Sequence, residues 1–260
     1  MKDTALLVID MQNGFLNERS PLYIDGAAAS VPACAEMIAF CREQKVPVFF
    51  VTRIYAADGS DVEHTRYEAW AKGGKPLSPG CAKEISADMP ETFGEDSRDY
   101  HITKPRYSAF FATGLDLILR RLGIRHLLLA GTTTPNCIRT TCYDAISLDY
   151  AVTVLSDCTS SKTPEIQESN LRDMANVGAV IASSKEIIIS DGETPQGVPP
   201  SSIAAQRRNM DAAPDIHCNE HRENDLKNHS PPNVSFGGGN DRKFDRFLHA
   251  IIIIEEPEGA

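Results

Sequence analysis

No apolar run in this chain approaches the ~20 residues that a membrane-spanning helix needs; the longest, Ala250 to Ile254, is far shorter. Basic residues are few relative to acids, 26 Lys plus Arg against 36 Asp plus Glu, for a formal charge of -10. That balance excludes the positive footprint expected of a protein that binds nucleic acid or an anionic membrane surface. A small molecule is the default partner. A disulfide framework is missing too: the seven cysteines, at 34, 41, 81, 137, 142, 158 and 218, are odd in number and lack a framework spacing. Reduced thiols in a cytoplasmic setting are therefore expected. The opening Met1-Lys2-Asp3-Thr4 leads straight into a strand-like run without the charged and apolar regions of a secretory leader, which points the same way. Repeats of solenoid length are also absent.

What is present is a series of short, continuously apolar runs of the kind that form buried parallel strands. They are Ala5 to Ile9, Val46 to Val51, His126 to Ala130, Val152 to Leu155 and Ala179 to Ala182, with a weaker candidate at Tyr100 to Thr103. Stretches of helical period lie between most of them. Val31, Cys34, Ala35, Ile38 and Cys41 share one stripe; Leu115, Ile118, Leu119 and Leu122 share another; Ile138, Cys142, Ala145 and Ile146 make a third. Alternation of this kind implies right-handed βαβ units. The expected fold is α/β, a Rossmann-like three-layer αβα sandwich with a six-stranded, mostly parallel sheet, spanning residues 1–192. Ligands of such sheets bind beyond the carboxyl ends of the strands.

A long connection, about Ile54 to Asp99, interrupts the alternation and is rich in Gly, Pro and charge. It reads equally as a lid or pocket wall and as a surface elaboration. Residues 193–260 lose the core-forming pattern and read as a disordered or loosely attached tail. Within it, His217, Cys218 and His221 resemble half of a zinc site, but no second ligand pair accompanies them.

Three strand ends carry groups suited to chemistry. Asp10 closes the first apolar run, where it is either a turn cap or a carboxylate whose pKa is tuned by its neighbours. Lys104 follows the weak strand and precedes Pro105, which ends the ladder; it is either solvated or turned toward Asp10. Cys137 follows the turn Gly131-Thr132-Thr133-Thr134-Pro135-Asn136, with a helix expected from about Asn136. At a helix N-terminus the thiolate is favoured, and the same backbone N–H groups can hold an oxyanion. Cys142 and Cys158 read as core residues. A thiol with an acid and a base nearby is the general arrangement for covalent attack on an acyl carbon.

The segments "LLVIDMQNGF", "KPRYSAFFATGLDLILRRLGI" and "LLLAGTTTPNCIRTTCYDAISLDY" resemble the isochorismatase-like cysteine hydrolases, whose members include nicotinamidases, N-carbamoylsarcosine amidases, ureidoacrylate amidohydrolases and biuret hydrolases. The resemblance covers about residues 4 to 185. It implies a catalytic triad of Asp10, Lys104 and Cys137, a non-proline cis peptide between Thr132 and Thr133, and an oxyanion hole from the backbone N–H groups of Thr133 and Cys137. It also implies a homo-oligomer and a reaction without a cofactor. Many relatives read Thr-Asn-Val-Cys before the nucleophile, whereas this chain reads Thr-Pro-Asn-Cys.

The nicotinamidases of the family hold a metal through an Asp-x-His element after the second strand. Arg53, Ile54 and Tyr55 stand there instead and His64 is alone, so no metal is expected. Arg53 and Arg106 are either forks for a substrate carboxylate or surface ion pairs. Tyr107 and Trp70 are either pocket walls or packing. The "KPRYS" and "GIRHL" elements look most like the ureidoacrylate type, which makes carbamoyl or ureido amides the expected substrates. The alternatives are an isochorismatase that cleaves a vinyl ether, some relatives of which lack the nucleophilic cysteine, and a catalytically silent binding module.

Overall fold

The computed structural model describes residues 1–193. The tail expected after residue 193, with His217, Cys218 and His221, lies outside the described residues. Six strands, β1 (Thr4–Ile9), β2 (Val48–Thr52), β3 (Tyr100–Thr103), β4 (His126–Thr132), β5 (Ala151–Ser160) and β6 (Val180–Ala182), form one sheet in the order β3-β2-β1-β4-β5-β6. Every neighbouring pair is parallel, so the mostly parallel sheet expected from the sequence is wholly parallel.

Alternation within each buried strand explains the layers. In β1, Ala5, Leu7 and Ile9 join the core on one face, with Leu127 and Leu129 of β4 and Phe49 and Val51 of β2. Leu6, Val8, Leu128, Ala130, Val48 and Phe50 face the other way. The first face is covered by α4 (Leu115–Arg121), α5 (Arg139–Ser147) and α6 (Pro164–Asn176), through residues such as Leu115, Leu119, Cys142, Ala145 and Met174. The second is covered by α2 (Ala27–Glu43), through Cys34, Met37, Ile38 and Cys41, and by α7 (Ser184–Glu193), through Ile187 and Ile188. The result is the expected αβα sandwich.

Some boundaries differ from the sequence reading. The fifth strand runs on to Ser160, past its last continuously apolar residue, because Thr159 and Ser160 pair with Gly131 and Thr132 beyond an irregularity in the β4–β5 ladder. Leu122 does not complete the stripe of α4: the helix ends at Arg121, and Leu122 is 40% exposed. The connection from Ile54 to Asp99 has its own small order. It contains α3 (Tyr67–Lys72) and short 3-10 turns at His64–Arg66, Lys83–Ile85 and Glu91–Phe93, and it is anchored by an apolar cluster of Tyr55, Val62, Trp70 and Leu77. A short helix, α1 (Asn13–Leu16), follows β1.

Strand order decides where chemistry can sit. Chain progress runs from β1 outward to β2 and β3, then returns to the other side of β1 for β4, β5 and β6. The switch between β1 and β4 opens a crevice at their carboxyl ends. Asp10 and the turn leading to Cys137 are the residues placed there.

Candidate active site

The backbone first fixes the four strand ends. The N–H of Asp10 donates to the Val51 carbonyl and that of Lys104 to the Thr52 carbonyl, each at 2.9 Å, which holds the ends of β1, β2 and β3 level. Asp10 takes φ 54, a left-handed conformation that a non-glycine residue enters at a cost, and this turns the chain sharply as it leaves the strand. On the other side, Gly131 takes φ 119 and pairs with Ile9. A Cβ at Gly131 would overlap the backbone of Ile9. Glycine therefore lets β4 close onto the end of β1 and brings the following turn up to Asp10.

That turn is held from below. Ser160 donates its hydroxyl to Thr132 Oγ1 at 2.9 Å, and Thr134 donates its hydroxyl to the Ser160 carbonyl at 3.0 Å. The Thr132–Thr133 peptide is cis. The Thr133 carbonyl accepts the N–H groups of Asn136 and Ile138. The helix expected from about Asn136 begins earlier, as a π-helical turn over Thr134–Ile138 with Pro135 in its first positions, and continues as α5.

Three side chains meet in this crevice. Lys104 Nζ lies 2.7 Å from Asp10 Oδ2 and donates to Cys137 Sγ at 3.5 Å and to the Arg106 carbonyl at 3.1 Å. Lys104 is 0% and Asp10 1% exposed, so the ion pair is fully removed from solvent. Burying two charges is costly unless each compensates the other. The Cys137 thiol does not sit in the thiolate form that a helix N-terminus would favour. Burial pushes its pKa up to about 12, reinforced by the Asp10 carboxylate and opposed by Lys104. Desolvation and a facing negative charge outweigh the dipole here. Asp10 faces this sulfur, and Lys104 touches both.

Arg53, at the end of β2, occupies the gap between the strands carrying Asp10 and Lys104. It is 2% exposed. Burial lowers its pKa, but the nearby Asp10, Tyr55 and Cys137 more than reverse this, and the net shift is upward. Its Nη1 donates to the Tyr55 hydroxyl at 2.9 Å and forms a close ion pair with Glu63, whose other oxygen accepts from Tyr55 at 2.7 Å. The guanidinium lies over the Tyr107 ring, 5.3 Å from its centroid, and that of Arg66 lies at the same distance from the same ring. Arg106 is directed elsewhere: its Nη1 donates to the carbonyls of Asp61 and Pro105. Trp70 packs edge-on against Tyr55 and donates its Nε1 to the Pro76 carbonyl, so its link to the site runs through Tyr55.

The structure thus brings together Asp10, Lys104, Cys137, Arg53 and Tyr107, with Arg106 contributing a carbonyl and Trp70 lying behind. Sequence reasoning missed Gln12 and Glu63. Gln12, 0% exposed, accepts the Arg53 N–H and donates to the carbonyls of Arg53 and Ala87, clamping the end of β2. Its signal was its place two residues beyond Asp10, where a polar side chain follows a buried strand. Glu63 lay hidden in the aperiodic connection. His64 stands in an exposed turn. Among the described residues, no three His, Cys, Asp or Glu side chains come together as a metal cluster.

A buried thiol, carboxylate and ammonium converging at the switch point of a parallel αβα sheet define a cysteine hydrolase class. The chain belongs to the isochorismatase family: residues 4–186 match the isochorismatase domain. It is 38% identical, over 179 residues, to an Arabidopsis thaliana protein named "probable inactive nicotinamidase", covering 68% of this chain and 90% of that one. It is 29% identical over 186 residues to the ureidoacrylate amidohydrolase RutB of Serratia proteamaculans, covering 64% of this chain and 73% of the other. Among solved structures, an isochorismatase family protein from Desulfovibrio vulgaris superposes with a TM-score of 0.68 at 35% identity, over 74% of this chain and 100% of that one.

Proposed function

We propose that this protein is an amidohydrolase that cleaves the C–N bond of a small carbamoyl or ureido substrate through a thioester-type intermediate on Cys137. The observation that carries this reading is the position of Lys104 Nζ, which touches both Asp10 Oδ2 and Cys137 Sγ. Asp10 takes the thiol proton as the sulfur attacks the carbonyl carbon. Because the resting thiol is held at a raised pKa, this transfer belongs to the attack rather than preceding it. Lys104 keeps the carboxylate in place and offsets the negative charge that passes between oxygen and sulfur.

The oxyanion that forms on the substrate is received by the backbone N–H groups of Thr133 and Cys137, each worth about 3 kcal/mol in such a role. Collapse of the tetrahedral species breaks the C–N bond, and the departing ammonia takes the proton from Asp10. Water then gives its proton to Asp10 and attacks the acyl carbon. The sulfur leaves and is reprotonated, and the free acid departs. Each proton in this sequence is carried by Asp10.

Support for the ureido class comes from the likeness to RutB and from Arg53 at the end of β2, where the nicotinamidase metal element would begin. The Arabidopsis relative's name joins nicotinamidase with inactivity, and nicotinamide is accordingly not the substrate favoured for this chain. The family resemblance also supports a homo-oligomer, which light scattering on the purified protein would read directly.

The test is ammonia release from a panel of ureido, carbamoyl and simple amides by the wild type and by Cys137→Ala. Turnover of a ureido compound that vanishes in the variant is expected. Turnover that survives the substitution, or silence of the folded wild type across the panel, would sink the reading.

A further inference from the structure

The end of β2 holds a cation that the chemistry above leaves unused. Arg53 Nη1 serves Tyr55 and Glu63. Its Nε and Nη2 are buried and have no hydrogen-bond partner among the described residues. An unmet buried donor is expensive, and more so when it is charged. Proteins keep such groups where something other than the chain completes them.

The unmet donors share one edge of the guanidinium. Along the Nε/Nη2 edge, two N–H groups point the same way at the spacing of the two oxygens of a carboxylate. The orientation of that edge is fixed on several sides. Gln12 clamps the Arg53 backbone through both its N–H and its carbonyl. Glu63 and Tyr55 hold the opposite nitrogen, and the Tyr107 ring lies against the guanidinium plane. Arg66 brings a second positive charge to that ring. Arg106, the other fork expected from the sequence, has its Nη1 committed to Asp61 and Pro105.

We propose that the Nε/Nη2 edge of Arg53 is the receptor for a carboxylate on the substrate, so that the site selects ureido acids over neutral ureido compounds. The inference rests on the amidohydrolase reading for its reaction, but the binding it asserts can be measured without turnover. Like Asp10 and Lys104, Arg53 is buried, so a carboxylate held on its Nε/Nη2 edge would be kept out of water. A surface cavity of about 490 Å³ lies within the connection carrying Glu63, lined by Ile54, the residue after Arg53, and by Ala87, whose carbonyl holds Gln12; Arg53 itself is not part of its wall.

The experiment titrates ureidoacetate and its methyl ester, a neutral analogue of similar shape, into Cys137→Ala protein by calorimetry. The comparison is repeated in Cys137→Ala carrying Arg53→Met or Arg53→Lys, with circular dichroism confirming the fold. The acid should bind about 30-fold or more tightly than the ester. Arg53→Met should erase the difference and Arg53→Lys should retain part of it. Equal affinity for acid and ester, no measurable binding of the acid, or an acid preference that persists in Arg53→Met would overturn the assignment. Should Arg53→Met not fold, Arg53→Lys decides: an acid-to-ester ratio unchanged by that substitution would overturn it as well. Ammonia release by wild type is measured on both compounds in parallel. Its absence would remove the amidohydrolase reading while the titration still judged Arg53.

Discussion

Cys137 and Cys142 lie on successive turns around the same helix start, and burial pushes both thiols up to about 12. Reactivity toward a thiol reagent at neutral pH therefore does not single out Cys137. Of the described cysteines, the half-buried Cys81 should label first with a disulfide reagent, ahead of both; prompt labelling of Cys137 would mean a standing thiolate. Cys137→Ala should lower turnover by about 1,000-fold or more, with a melting temperature close to that of wild type. The raised thiols also act on stability. Between the ordinary value of 9.0 and about 12, the unfolded chain gives up protons that the folded chain retains. Stability is thus complete below about pH 9 and falls as pH rises toward 12. Urea midpoints measured across that window should decline, and Cys142→Ala, which removes one such group, should flatten the decline.

At the level of elements, β1, β2 and β4 were legible because each centres on a short, unbroken apolar run, the pattern of a strand buried on both faces, whereas the edge strand β3, with only Ile102 buried, gave a weaker signal. The extension of β5 to Ser160 was not legible, since Thr159 and Ser160 are polar and their pairing depends on β4. The meeting of Asp10, Lys104 and Cys137 had a sequence signal in their places at strand ends and in the family motifs. The network behind Arg53 had none: Glu63 sits ten positions away in a segment without periodicity, and its pairing follows from the packing of Tyr55, Val62, Trp70 and Leu77. Gly131 carries the tightest constraint of any element end. Gly131→Ala should destabilise the fold by about 2 kcal/mol or more, as both φ 119 and the approach to Ile9 oppose a Cβ. Denaturant unfolding gives the value. For comparison, Thr163, whose side chain accepts the Ile166 N–H at the start of α6, should cost about 1 kcal/mol when replaced by alanine.

For the molecule as a whole, composition points to a small-molecule partner, and among the described residues no helix is long and apolar enough to cross a bilayer. Strand order was beyond its reach, because each apolar run fits any position in a parallel sheet. Only the structure shows that β2, with Arg53, separates the strands that carry Asp10 and Lys104. Residues 10, 104 and 137 therefore become neighbours only when β1, β2, β3 and β4 are all in register. The crevice behaves as a coincidence detector for its own assembly: a chain that has joined some of these strands holds only part of the proposed triad. Under the proposed amidohydrolase activity, ammonia release in a refolding time course should return together with the last long-range strand pairing and later than helical circular dichroism, making turnover a stringent gauge of the finished sheet.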